Sequence, residues 1–113
     1  MNLTDIRPPW GDTLTTCAIT VADLEGIVIY QNERSIAVNG DVRGRSMLPC
    51  HSEHSRQIIE RLITNAENNV YTIEKRGLRK MIYQTPWYAE GKVAGLVEFS
   101  LEIPESMPHY VRE

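Results

Sequence analysis

Cysteine is scarce in this 113-residue sequence, which contains only Cys17 and Cys50 and no Cys-x-x-Cys pair. Two thiols without that spacing do not make a disulfide framework. The first residues lack the basic start and apolar run of a signal peptide. No apolar stretch approaches the roughly 20 residues that cross a bilayer. We therefore expect a cytoplasmic protein with reduced thiols and no membrane contact.

The sequence also has little net charge and few catalytic motifs. Its formal net charge is -3, so we expect no broad attraction to nucleic acid or anionic membrane. It contains no Gly-rich phosphate loop, nucleophile elbow or His-Glu-x-x-His motif. We interpret Glu74, Glu98 and Glu102 as solvent-facing strand residues. Because no set of nucleophile, base and orienting group stands out, we expect a protein that is not an enzyme.

The composition is that of an ordinary globular protein, with 42% hydrophobic and 24% charged residues. A chain of 113 residues fits one domain. Prolines and a glycine near the start predict a lead-in over residues 1–15, which docks Trp10 on the body. The folded body spans 16–103, and two prolines predict an exposed tail over 104–113.

A β-hairpin is predicted at the beginning of the body. Residues 16–22 are small, apolar and β-branched, which favours a strand, and 27–30 favour a second strand. Between them stands Asp23-Leu24-Glu25-Gly26. Asp hydrogen-bonds the backbone of a turn and Gly supplies a positive φ, so this segment predicts the turn of the hairpin.

Helical segments are predicted in the middle of the chain. Residues 32–39 favour a short helical turn that ends at Asn39-Gly40, and 42–48 favour a second short piece. The long helix is predicted over 52–69, where apolar residues form one stripe. The stripe consists of Ile58, Ile59, Leu62, Ile63 and Ala66.

Three further strands are predicted over 70–75, 80–88 and 93–103. Alternation in the last strand puts Val97 and Phe99 on one face and Leu96 and Glu98 on the other. The order β-β, helices, β-β-β predicts an α+β fold, a five-stranded antiparallel sheet with helices on one face. A ligand can sit between those helices and the sheet.

Several motifs in this order resemble the PAS domain family. The turn Asp23-Leu24-Glu25-Gly26-Ile27 and the following Tyr30-Gln31-Asn32 resemble its first hairpin, and Gly44-Arg45-Ser46 resembles its element before the long helix. Residues 88–98 are similar to its last hairpin. Leu48-Pro49-Cys50-His51 resembles a subgroup with Cys-His-Pro-Pro-x-Ser, although Ser52 and Glu53 replace its prolines. Over 16–103 the resemblance implies a PAS-like sensor domain, in which a ligand or partner binds and the change passes to an effector protein.

The candidate ligand-binding residues form two groups. A polar cluster at the entry of the long helix contains Cys50, His51 and His54, and aromatic residues on the strands add Tyr83, Trp87 and Phe99. The resemblance implies a haem alternative, in which His51 or His54 is the axial ligand. A metal site is not expected, because no second Cys/His pair is present. Flavin is not expected, because Cys50 is displaced from the family's flavin-binding element. The other interpretation is that the cluster caps the helix and the aromatics fill the core or a dimer face.

The sheet face opposite the helices is predicted to be an interface. We assign Ala94, Leu96 and Trp10 to it, and an apolar face of this kind favours a homodimer through the sheet and the lead-in. Because 113 residues leave no room for an output domain, we expect the protein to act in trans on an effector protein. The alternatives are a haem or small-molecule binding protein and an interaction module without a ligand.

Overall fold

The computed structural model describes residues 7–47 and 53–113, which form one five-stranded antiparallel sheet and two helices. The elements in chain order are β1 (Cys17–Asp23), β2 (Val28–Gln31), α1 (Glu33–Asn39), α2 (Glu53–Asn65), β3 (Asn69–Lys75), β4 (Leu78–Ala89) and β5 (Lys92–Ile103). The strands lie in the order β2-β1-β5-β4-β3, so the first and last strands of the chain are neighbours near the centre. This architecture confirms the predicted α+β fold.

The turn between β1 and β2 is built by Asp23, as the sequence predicts. Its Oδ1 accepts hydrogen bonds from the amides of Glu25 at 2.9 Å and Ile27 at 3.0 Å. Gly26 has a φ of 79°, a conformation that glycine adopts without a steric penalty. The carboxylate and the glycine together close the hairpin.

The prediction of a second short helix over 42–48 was wrong for the described residues 42–47. These residues instead line the edge of β2. The amide of Val28 donates to Arg45 O at 2.9 Å, and the amide of Met47 donates to Gly26 O at 2.8 Å. Ile27 and Ser46 form an isolated antiparallel bridge. The backbone groups are therefore satisfied by the edge strand, and a helix over the same residues would leave that edge unpaired.

The long helix ends earlier than the sequence predicts. The predicted end was residue 69, but α2 ends at Asn65 and Asn69 already belongs to β3. Ala66 has a φ of 55°, and the amide of Glu67 donates to Leu62 O at 3.2 Å. This left-handed residue terminates the helix in the way a C-cap usually does. Neither helix in the described residues is long and apolar enough to cross a membrane.

The apolar core lies between α2 and the sheet. Ile59 and Leu62 of α2 and Leu96 of β5 are each 1% exposed and belong to one cluster with Ala22 and Val28. Ala22 is the register partner of both Leu96 and Val28, and register partners share a face. The assignment of Leu96 to the face opposite the helices was therefore wrong. Alternation in β5 was correct, but the side that faces the helices was inverted.

The opposite side of the sheet, called the outer face below, carries the other half of the alternating residues. It is half-buried and apolar, and the helices of the described residues pack on the other side. Its apolar side chains are Ile19, Val21, Met81, Tyr83, Val97, Phe99, Leu101 and Ile103.

The lead-in contacts the body through its backbone. The amide of Glu33 donates to Gly11 O at 2.8 Å. We expected Trp10 to dock on the body, but it is 53% exposed. The amides of Thr13 and Leu14 both donate to Trp10 O at 3.3 Å, so a turn forms at this position while about half of the Trp10 surface stays exposed.

Candidate functional site

One polar residue from each strand forms a continuous row across the helix-facing side of the sheet. The five residues are direct register partners of one another from edge to edge. In strand order they are Gln31, Thr20, Glu98, Gln84 and Asn69, and we call them the polar row. Apolar core residues lie on both sides of it: Ala22 and Leu96 are two positions from Thr20 and Glu98 on the same face.

The half of the row on β3, β4 and β5 is a chain of side-chain hydrogen bonds. Asn69 Nδ2 donates to Gln84 Oε1 at 3.0 Å, and Gln84 Nε2 donates to Glu98 Oε1 at 2.8 Å. Gln84 is 3% exposed. Because its amide both accepts and donates, Gln84 fixes the orientation of the Glu98 carboxylate.

The half of the row on β1 and β2 holds α1. Ser35 of α1 is fully buried, and its Oγ lies 2.6 Å from Thr20 Oγ1 and 2.9 Å from Gln31 Nε2. Gln31 also donates to Gly40 O at 3.0 Å and accepts from the Val42 amide at 2.9 Å. Because this half of the row is saturated by internal bonds, it is a structural clamp on both ends of α1.

Asn32 links the same helix to β1. Its Oδ1 accepts from the amides of Ile19 at 2.9 Å and Ser35 at 3.0 Å, and its Nδ2 donates to Cys17 O at 2.8 Å. The Ser35 bond makes Asn32 the N-cap of α1. The residue that ends the Tyr30-Gln31-Asn32 motif therefore joins strand and helix through three hydrogen bonds.

The centre of the row is where a ligand can be recognised. Glu98 is half-buried, and among the described residues only Gln84 hydrogen-bonds to its carboxylate. Tyr71 of β3 lies on the same face, as its register partner Ile82 shows. Burial, and then the negative charge of Glu98, raise the pKa of Tyr71. A carboxylate with a free oxygen and a neutral phenol can accept and donate hydrogen bonds to one small molecule.

The aromatic residues proposed from the sequence as ligand contacts lie elsewhere. Tyr83 and Phe99 are register partners on the outer face, where their rings meet edge to face at 6.3 Å. Trp87 is paired with Gly95 on that face, and its indole Nε1 donates to Ala22 O at 2.9 Å. None of these three aromatic side chains lies between the helices and the sheet.

The polar cluster at the helix entry is only partly within the described residues. Cys50 and His51 lie outside them, and His54 lies in the first turn of α2 with its side chain outside what the structure describes. Among residues 7–47 and 53–113, no group of three or more His, Cys, Asp or Glu side chains is placed to hold a metal ion. A haem between α2 and the sheet would have to displace Ile59 and Leu62 from Leu96, so this packed core does not fit it.

Sequence reasoning missed the polar row because it interpreted Glu98 as solvent-facing. The sequence did contain a pattern that indicates the row. On each of the three central strands, the residues two positions before and two positions after the row residue lie on the same face as it does. Thr20 lies between Ala18 and Ala22, and Gln84 lies between Ile82 and Pro86. Once one neighbour is placed on the helix side, the polar residue must face the same way.

The sequence matches no protein-family model and no curated protein at a significant level. Solved structures do match it. The PAS domain of the histidine kinase ThkA has a TM-score of 0.63 at 18% identity, over 76% of this chain and 98% of that one. The Aer2 receptor from Vibrio cholerae, described as a dual PAS-heme oxygen sensor, has a TM-score of 0.59 at 19% identity, over 79% and 96%.

A third similar structure is that of VqmA from Vibrio cholerae. Its TM-score is 0.65 at 17% identity, over 85% of this chain and 49% of VqmA, so this chain spans about half of that protein's length. In this chain the matched fold is the β2-β1-β5-β4-β3 sheet with both described helices between β2 and β3. The chain has the fold of a PAS domain.

Proposed function

We propose that this protein is a sensory domain that binds a small molecule between its helices and the centre of the polar row. The observation that carries the proposal is the position of Glu98 and Gln84 on the helix-facing side, next to core residue Leu96. Gln84 is paired on both sides, but one oxygen of the Glu98 carboxylate has no hydrogen-bond partner among the described residues, so an acceptor remains for a ligand at this position. Because Gln84 holds the Glu98 carboxylate in one orientation, that carboxylate can accept hydrogen bonds from a ligand in a defined direction.

The ligand expected from this geometry carries hydrogen-bond donors on an apolar body. Glu98 accepts from the donors, Tyr71 supplies a hydroxyl, and Ile82 offers apolar contact on the same face. Other proteins of this fold support a small-molecule role: one VqmA structure is described as bound to DPO. Haem held by His51 or His54 is less well supported, because the core beside α2 is packed by Ile59 and Leu62.

The ligand proposal is tested by native mass spectrometry of the protein purified without denaturation. We expect a bound small molecule that Glu98→Ala and Gln84→Leu release, while Glu90→Gln in the exposed β4–β5 turn retains it. The ligand proposal fails if the wild-type protein carries no bound mass and binds nothing in a metabolite screen followed by amide NMR. The alternative of an interaction module without a ligand would then remain. An absorption band of haem that His51→Ala or His54→Ala removes would support the haem alternative instead.

The proposed route of the signal is a homodimer through the outer face, acting on an effector protein in trans. The eight apolar side chains of that face form one surface around the Tyr83–Phe99 pair. Contiguous apolar surface of this kind is typical of interfaces, and a second copy covers it with an identical surface in a two-fold dimer. We include the lead-in, residues 1–15, in the same interface and leave the tail, 104–113, outside it.

The dimer is tested by analytical ultracentrifugation. Leu101→Glu and Val97→Glu place a charge in the centre of the outer face and are expected to produce monomers with an unchanged circular dichroism spectrum. Leu24→Glu is the matched control, since Leu24 is exposed in the β1–β2 turn. A wild-type protein that is monomeric at high concentration would refute the dimer and leave the ligand site untouched.

A further inference from the structure

A cavity lies at the β2 edge of the sheet, under the lead-in. Its volume is about 340 Å³, and it is a half-open cleft lined by the lead-in on one side and by β2 and α1 on the other. Small-molecule sites in proteins have volumes of about 300–1,000 Å³. The cavity is two strands away from Glu98 in the sheet order, so it is a different site from the centre of the polar row.

The hydroxyl of Tyr30, which lines this cavity, lacks a hydrogen-bond partner among the described residues although it is buried. Leaving a buried hydroxyl unpaired costs about 1–3 kcal/mol, so each such group requires an explanation. Gly11 of the lead-in covers it closely: a Cβ at Gly11 would lie 3.2 Å from Tyr30 Oη. Burial raises the pKa of Tyr30, and a phenol is protonated and able to donate at neutral pH already at its ordinary pKa of about 10.

The charged residues around the cavity are of both signs and are mostly unpaired. Arg43 is engaged, because its guanidinium forms two bonds with Asp41 at 2.9 and 2.7 Å. Arg7, Asp12 and Glu33 take part in none of the ion pairs found within the described part of the chain. One cation from the lead-in therefore lines the same cavity as two carboxylates that lie outside those ion pairs, and the charge of Glu33 also acts on Arg43.

We propose that this cavity binds a small zwitterion of the free amino-acid class. The carboxylate of the ligand pairs with Arg7 and accepts a hydrogen bond from the Tyr30 hydroxyl, and its ammonium group pairs with Asp12 and Glu33. A ligand of one sign would leave either Arg7 or the two carboxylates without a counter-charge. Pro8 and Ile36 supply the apolar wall for the remaining side chain.

Such a ligand would contact both the lead-in and the body of the protein. In the described residues the lead-in is joined to α1 by the bond from the Glu33 amide to Gly11 O. A bridging ligand adds three charged contacts, two with the lead-in through Arg7 and Asp12 and one with α1 through Glu33. Occupancy of the cavity therefore fixes the lead-in on α1, and this binding is separate from binding at the polar row.

The experiment is an amide NMR titration of the full ¹⁵N-labelled chain with each standard L-amino acid in turn. At least one is expected to shift the amides of Gly11 and Glu33 saturably, with a Kd below about 1 mM. For that amino acid, the analogue without the carboxylate and the analogue without the ammonium group should each bind at least about tenfold more weakly. Absence of saturable shifts, or equal binding of a singly charged analogue, overturns the proposal.

Variants locate the site. Tyr30→Phe and Glu33→Gln are each expected to weaken binding at least about fivefold, whereas Glu90→Gln in the distant β4–β5 turn leaves the Kd unchanged. Circular dichroism verifies that each variant is folded, and unchanged binding in both overturns the proposal. Shifts confined to Gln84 and Glu98 would place the amino acid on the polar row, which refutes this site while supporting the proposed function.

Discussion

The indole of Trp87 reaches across β5 to hydrogen-bond the backbone of β1. Its Nε1 donates to Ala22 O at 2.9 Å, over a separation of 65 residues. The space for this contact exists because Gly95, the register partner of both Trp87 and Asp23, has no side chain. The bond therefore joins β4 to β1 across β5, next to the register shift between Trp87 and Tyr88.

Gly95→Ala is expected to lower the free energy of unfolding by about 3 kcal/mol, the upper range of overpacking. A Cβ at this position would overlap Ala22 O and lie 2.7 Å from Trp87 Nε1. The measurement is urea unfolding. Gly77→Ala is the control, because Gly77 has a φ of 79° but no atom within 4 Å of an added Cβ, which limits its cost to about 1–2 kcal/mol. Equal losses in the two variants would contradict the close contact at Gly95.

Asn32→Ala is expected to destabilise the protein by about 2–4 kcal/mol, because three hydrogen bonds of a buried side chain are lost together. The backbone amide of Ile19 and the carbonyl of Cys17 would lose their partner in the side chain. Asn39→Ala, at the exposed end of α1, should change the free energy of unfolding by less than about 0.5 kcal/mol. Similar losses in urea unfolding for both variants would show that Asn32 does not join β1 to α1.

The carboxyl of Asp41 should titrate at an unusually low pH. Hydrogen bonds from Arg43 lower its pKa from 3.8 to about 2. The contact therefore contributes stability above a pH near 4, and this contribution disappears as the pH falls through about 2. NMR titration of the Asp41 carboxyl carbon measures the midpoint, which Arg43→Gln should raise towards 3.8. Arg79→Gln is the control, because Arg79 pairs with Glu74; an effect as large as that of Arg43→Gln would exclude the local contact as the cause.

Glu98→Gln is expected to lower the raised pKa of Tyr71 only in part. Burial is the larger cause of the raised value and remains in the variant, while the negative charge of Glu98 is removed. The measurement is an NMR titration of the Tyr71 ring at alkaline pH. Glu90→Gln in the β4–β5 turn should leave the titration unchanged. An unchanged Tyr71 pKa in Glu98→Gln would show that the Glu98 charge does not act on Tyr71, which contradicts a recognition site formed by both side chains.

Much of the fold follows from local patterns in the sequence. Asp23 and Gly26 predict the first turn because a carboxylate and a positive φ close it within four residues. The stripe containing Ile59 and Leu62 predicts a helix with one buried face, and alternation predicts β5. The end of α2 was predicted less well, because Ala66 adopts a left-handed backbone conformation that an alanine in the sequence does not predict.

The candidate sites were much harder to predict. Alternation separates Leu96 and Glu98 from Val97 and Phe99, but it is symmetric between the two sides of the sheet. The choice of side depends on where α2 packs, and that packing brings Leu62 against Leu96 across a long stretch of chain. The cavity beside Tyr30 depends on the lead-in folding back onto α1, where the Glu33 amide donates to Gly11 O, and no side-chain pattern encodes this backbone bond.

The sequence alone thus determined the order of strands and helices, since turns, caps and periodicity act between residues a few positions apart. The tertiary structure alone decided which face of the sheet is covered. It also decided that Gln31, Thr20, Glu98, Gln84 and Asn69 meet in one row. The physical reason is that register between distant strands is fixed only when the whole apolar face is buried at once.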